Sequence, residues 1–199
     1  RFTTMPRNVL RDTQMREQRR KEILDAAASV FARRGLLTKI DDIASEAGRS
    51  HGYVYSYFKS KEELLLAVIK RGQDLYGEQL NKAIELEGKA SDKFRYIATK
   101  VLSQESNADS YMVLLQAIFT DLLDDEEKKK IRERGKKNRQ LLVQLIQEGQ
   151  ADGSVRQGDP IHLATLFATL IQNLMLLKVR EYEPANETTI QLLMQMIGP

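Results

Sequence analysis

The sequence predicts an all-α protein: an N-terminal three-helix domain with a helix-turn-helix, then a larger C-terminal helical domain. Three observations predict this. Apolar residues recur at three- and four-residue steps along most of the chain, as amphipathic helices require. No stretch alternates apolar and polar residues as a half-buried strand would. Residues 38–64, TKIDDIASEAGRSHGYVYSYFKSKEEL, read as two short helices about a glycine turn, then paired tyrosines and a third helix that opens with lysine.

Each element has its own signal. Residues 1–14 hold Pro6 and Asn8 and little periodicity, and read as a loose arm. From Arg16 to Arg34, Ile23, Ala26, Ala27, Val30 and Phe31 share one helical face, and Gly35 closes the helix. Thr38, with Asp41 three residues on, is the expected cap of a helix running to Ala47, with Ile40, Ile43, Ala44 and Ala47 on one face. Gly48 permits a left-handed turn. Ser50 caps a short helix with Val54 and Phe58 inward, and Ser60 caps a long one reaching toward Ile84. Further helices are expected through Phe94–Leu102, over Tyr111–Leu123, and from Asp124 or Asp125 to Ile146. Asp159-Pro160 supplies N-cap and N1 for a helix over Ile161–Arg180, which Pro184 breaks, and a last helix covers Glu187–Met196. The domain division expected is an arm over 1–14, a reading domain over 15–62 and a helical domain over 63–199.

Composition narrows the class. The chain has 199 residues, 42% hydrophobic and 30% charged, with no cysteine, so disulfides and thiolate metal sites are excluded. The basic start lacks an apolar core, so no secretory leader is expected. The apolar run LATLFATLIQNLMLLKV contains Gln172 and Asn173 and is short for a membrane span, so a buried helix, no membrane partner and a cytoplasmic location are expected. Residues 1–71 carry 15 Lys and Arg against 9 Asp and Glu, while residues 72–199 carry 16 against 19. A polyanion would therefore meet the N-terminal third.

In a helix-turn-helix the second helix enters the major groove with its N-terminal residues at base edges. Here Ala44 and Ala47 allow close approach and Gly48 makes the turn. Ser50, His51, Gly52 and Tyr53 then face the bases. Gly52 is a poor helix former, and its value is the absent side chain where backbone nears DNA. Tyr55 and Tyr57 offer hydroxyls to phosphates, and Lys61, in the first turn of the next helix, adds a cation there. Lys39 and Arg49 extend the basic surface.

The segment GLLTKIDDIASEAGRSHGYVYSYFKSKEELLLAV resembles the DNA-binding domain of the TetR family of bacterial regulators. The resemblance rests on Thr38, Ile43-Ala44, Ala47-Gly48, Ser50-His51-Gly52, Tyr55-Ser56-Tyr57-Phe58 and Ser60-Lys61-Glu62-Glu63-Leu64. Arg49 departs from the small apolar residue usual there. The resemblance implies contacts to operator DNA from Thr38 through Lys61. It also implies a C-terminal domain that binds a small effector and dimerises through its last two long helices, and a repressor that an effector releases. The runner-up is a DNA-binding regulator without an effector, controlled by a protein partner.

Apolar surface in the last helices beyond one subunit's needs makes Leu163, Leu166, Leu170, Leu174, Leu177, Ile190, Leu193 and Ile197 the candidate homodimer interface. Tyr96, Tyr111, Met112, Gln116, Phe119, Phe167, Gln172, Asn173 and Met175 combine aromatic bodies with polar tips, suited to a mostly apolar small-molecule effector. Only two histidines occur, without metal-ligand spacing, and no phosphate loop follows a strand, so no metal, cofactor or enzymatic activity is expected.

Overall fold

The structure is a computed structural model that describes residues 9–199, including all side chains except those of residue 9 and residues 105–107. Among the described residues there are nine helices and no strand: α1 (Val9–Arg34), α2 (Ile40–Glu46), α3 (His51–Tyr55), α4 (Lys61–Glu85), α5 (Ala90–Leu102), α6 (Glu105–Ile118), α7 (Asp125–Asp152), α8 (Pro160–Met175) and α9 (Glu187–Ile197). No helix among them is long and apolar enough to cross a membrane.

Local chemistry sets most boundaries. Ser60 Oγ accepts from Glu63 N–H at 3.1 Å and opens α4. Asp124 and Glu127 accept reciprocally from each other's backbone N–H at the start of α7, and Asn186 with Thr189 repeats the device on α9. Gly153, at φ 75°, ends α7 in the left-handed region.

Four expected boundaries are corrected. The first helix begins at Val9, so residues 9–14 belong to α1, while the arm expected over residues 1–8 lies outside the described residues. The N-cap of α2 is Lys39, and Asp42 rather than Asp41 reaches back, accepting from Lys39 N–H at 3.1 Å and from the Thr38 hydroxyl at 3.3 Å. Helix α6 stops at Ile118 instead of Leu123, because the chain turns to bury Leu123 and bring Asp124 to the start of α7. Helix α8 stops at Met175 rather than Arg180. There the backbone bonds tighten to three-residue spacing (Leu176 N–H to Asn173 carbonyl, 3.1 Å), and Tyr182 N–H closes onto the Leu177 carbonyl around Glu181 at φ 61°.

Two cores follow. The first joins α1, α2, α3 and the start of α4 through Phe31, Ile43, Val54, Phe58, Leu64 and Val68, and also takes in Val113 and Ala117 of α6 and Ile131 of α7. The second gathers Leu80 of α4, Phe94 and Ile97 of α5, Leu145 of α7, Phe167 of α8 and Leu193 of α9. Helix α4 passes through both, so the division expected at residue 62 falls just before α4's own contribution to the first core. Between the two cores a polar clamp joins α4 to α7. Gln73 Nε2 donates to the Ile131 carbonyl (3.0 Å), Arg134 Nε to Gln73 Oε1 (2.8 Å), and Asn138 Nδ2 to the Gln73 carbonyl (2.9 Å).

Part of the expected interface set is also corrected. Ile190, Leu193 and Ile197 are buried in the subunit's own second core. With 3.6 residues per turn, the opposite face of α9 carries Leu192 and Met196, which are 55% and 56% exposed. On α8, Leu166 is 60% exposed and Leu163, Leu170 and Leu174 are half-buried, as is Leu177 just beyond it.

Candidate nucleic-acid interface

The turn between α2 and α3 closes by paired backbone bonds. Arg49 N–H reaches the Ala44 carbonyl at 2.9 Å and Gly48 N–H the Ser45 carbonyl at 3.1 Å, around Gly48 at φ 62°. Ser50 Oγ accepts from Tyr53 N–H at 3.3 Å and caps α3. Val54 and Phe58, both 1% exposed, dock the helix on the first core. Ser50, His51, Gly52 and Tyr55 remain on the exposed side, as expected of a reading face.

Gly52 is informative. A Cβ built on it meets nothing within 4 Å, and its φ does not require glycine. A glycine there, in the first turn of α3, gives the subunit no packing advantage, and glycine is a poor helix former. The free space lies outside the molecule.

Other expected contacts are differently engaged. Tyr53 turns inward: its ring lies 5.4 Å from that of Tyr57, its hydroxyl is buried with no partner, and burial pushes its pKa above the usual tyrosine value. It therefore packs against the fold instead of facing bases. Thr38 is 8% exposed with its hydroxyl on Asp42, so it supports α2 and does not stand free at the surface. Arg49 bridges to Glu22 of α1 at 3.2 Å and lies 5.1 Å above the Tyr53 ring. Lys61 Nζ donates to the Leu36 carbonyl at 3.0 Å, which anchors the start of α4 beside the loop that precedes α2. Lys39 is exposed and Tyr57 half-buried.

Two arginines escaped the motif reading. Arg16 stands 5.2 Å over the Tyr57 ring and Arg20 4.8 Å over the Phe58 ring. The exposed early turns of α1, which also carry Arg11 and Arg19, thereby extend the basic surface beside α3. Their signal was the basic run from Arg11 to Lys21, part of which had been assigned to an arm.

The nine expected effector residues stand in different settings. Tyr111 of α6 donates to Gln172 of α8 at 3.2 Å, with burial pushing the Tyr111 phenol pKa up, and Tyr96 of α5 donates to Gln79 of α4 at 3.2 Å. Met112 and Met175 are half-buried. Phe167 is fully buried edge-on to Phe94 and fills core. Gln116 Nε2 donates to the Ala32 carbonyl of α1 at 3.4 Å and so links α6 to the reading domain. Phe119 is 84% exposed beyond α6, and Asn173 is exposed with its amide on the Thr169 carbonyl. A surface cleft of about 530 Å³ opens elsewhere, between α1, α4 and α7, and none of the nine lines it.

A short glycine-closed α2, an outward α3 and a long α4 tying them to a separate helical core define a helix-turn-helix DNA-binding protein. Comparison with known proteins specifies the class. Residues 23–68 match the model of bacterial regulatory proteins of the tetR family. The transcriptional repressor KstR2 of Mycolicibacterium smegmatis is 30% identical over 167 residues, covering 83% of this chain and 80% of that protein. Among solved structures, FadR from Bacillus subtilis in complex with stearoyl-CoA superposes with TM-score 0.68 at 23% identity, covering 89% of this chain and 98% of that one. AibR in complex with isovaleryl coenzyme A and operator DNA gives 0.69 at 22%, covering 91% and 98%. The chain belongs to the TetR family: it is a DNA-binding transcriptional repressor and not an enzyme.

Proposed function

We propose that the protein acts in the cytoplasm as a homodimeric repressor that an apolar acyl effector, such as an acyl-CoA thioester, releases from its operator. The carrying observation is Gly52, a first-turn glycine on the exposed side of α3 where a side chain would meet nothing of the subunit and where its absence leaves room for a surface approaching from outside. Ser50, His51 and Tyr55 meet the major groove beside it. Tyr57, Lys61, Lys39, Arg16 and Arg19 follow the flanking phosphates, which supply affinity without sequence information. Gly52→Ala tests this directly. Alanine should leave the melting temperature unchanged or raise it, while operator binding falls at least tenfold; undiminished binding would remove α3 from the groove.

The dimer would form through the apolar faces of α8 and α9, with Leu166, Leu192 and Met196 at its centre and Leu163, Leu170, Leu174 and Leu177 around them. Such surface on one subunit is what a self-complementary interface covers. Leu166→Glu should give a monomer in light scattering at micromolar concentration and weaken operator binding. A dimer in that variant would place the interface elsewhere.

For the effector, Tyr111–Gln172 and Tyr96–Gln79 offer polar ends between helices of the second domain. The acyl-CoA in two neighbours of the same fold supports the class. The mechanical route would run through α6, whose Val113 and Ala117 sit in the first core and whose Gln116 bonds to α1, and through α4, which enters both cores. A coupling of about 1–3 kcal/mol would weaken operator binding 5- to 150-fold. Stearoyl-CoA or isovaleryl-CoA should raise the melting temperature and release the operator. If neither does so, the acyl-CoA class is wrong.

A further inference from the structure

The His51 imidazole is held from two sides. Its Nδ1 lies 2.5 Å from Asp41 Oδ1 on α2, and its ring centroid lies 4.7 Å from that of Tyr55 at 41°. Both members of the pair are exposed, at 54% and 69% of their side chains, so packing does not require the contact, and exposed pairs add little stability. A carboxylate on a surface that meets phosphates is repulsive to DNA. Its position is explained if it serves the imidazole.

We propose that Asp41 is a positioning residue that fixes His51, so that His51 Nε2 meets the base edge at one defined position of each half-site. The proposal rests on the operator-binding reading above. An ionised carboxylate only accepts, so the proton at this contact sits on Nδ1 and Nε2 is the atom left for DNA. Tyr55 contributes a neutral face and restricts ring rotation. Each base pair shows its own pattern of donors and acceptors at the major-groove edge, so a ring nitrogen held in one place and one orientation prefers one base over the others. The tie spans α2 and α3, so it also sets the ring relative to the helix-turn-helix as a unit.

The test selects bound sequences from a randomised duplex pool with the full chain, Asp41→Asn, Asp41→Glu and His51→Gln, and records a melting temperature for each. Wild type should select one base at a fixed half-site position. Asp41→Asn and His51→Gln should each weaken that preference by about 3- to 10-fold, the worth of one hydrogen bond, with other positions and the melting temperature unchanged. Asp41→Glu should retain it. Asp41→Asn that binds every sequence more tightly and keeps the same preferences would show Asp41 to be a repulsive charge only, and would overturn the proposal. An operator in which no position's base preference depends on Asp41 overturns this proposal alone, whereas a wild type that selects no operator overturns the repressor reading with it.

Discussion

Phe58→Ala should lower the stability of the protein by about 3–5 kcal/mol, the usual cost of deleting a buried aromatic ring. The ring is 1% exposed and packs in the first core with Val54 and Ile43, under the guanidinium of Arg20. Total stability of a domain is only about 5–15 kcal/mol, so this is a large fraction of it. At about 2–4 °C per kcal/mol for a chain of this size, the melting temperature should fall by roughly 6–20 °C. Specific DNA binding should fail at temperatures where the second core remains folded, because Phe58 and Val54 fix the angle of α3 while the second core does not include them. Calorimetry with a binding assay checks both statements. An unchanged melting temperature would mean that α3 is held by its turn and caps alone.

Glu148→Ala and Lys93→Met should have unequal effects although they break the same ion pair. Lys93 is 7% exposed, and its Nζ donates to Glu148 at 2.6 Å and to the Ile84 carbonyl at 3.0 Å. Removing Glu148 leaves a buried ammonium with one neutral acceptor, an arrangement that costs about 3–5 kcal/mol when the pair is wholly buried. Glu148 is 37% exposed, so water can reach the gap, and about 2–4 kcal/mol is expected. Lys93→Met removes the buried charge itself and keeps the volume, so a change within about 1 kcal/mol is expected. Urea unfolding of the two variants compares them. Equal losses would show that the pair contributes as a unit and that burial of the ammonium is unimportant.

The sequence showed the reading domain better than the rest because its signals are short-range. Ser50, Ser60 and Gly48 act within four residues of themselves, and the structure gives each the cap or turn expected. Asp42 displaced Asp41 as the partner of the α2 start because either carboxylate stands near enough in sequence, and only the pairing of Asp41 with His51 separates them. Tyr53 was placed at the bases from its position in the motif. Its inward turn depends on the first core built with α1, whose proximity is a tertiary fact. For the last helix, an apolar stripe could not say which residues face the subunit and which face out. Ile190, Leu193 and Ile197 went inward, leaving Leu192 and Met196. The effector set failed in part for a similar reason: an aromatic side chain with a polar neighbour looks alike in core (Phe167), at a surface (Phe119) and across two helices (Tyr111).

The most direct test of the central claim is to select bound sequences from random duplex DNA with the intact protein and then measure release by stearoyl-CoA and isovaleryl-CoA. The account predicts a near-palindromic operator whose half-sites are one helical turn or a multiple of it apart, about 34–36 Å per turn, bound by two or more subunits and released by at least one of the thioesters. Recovery of sequences no different from the starting pool, at any salt concentration, would contradict it.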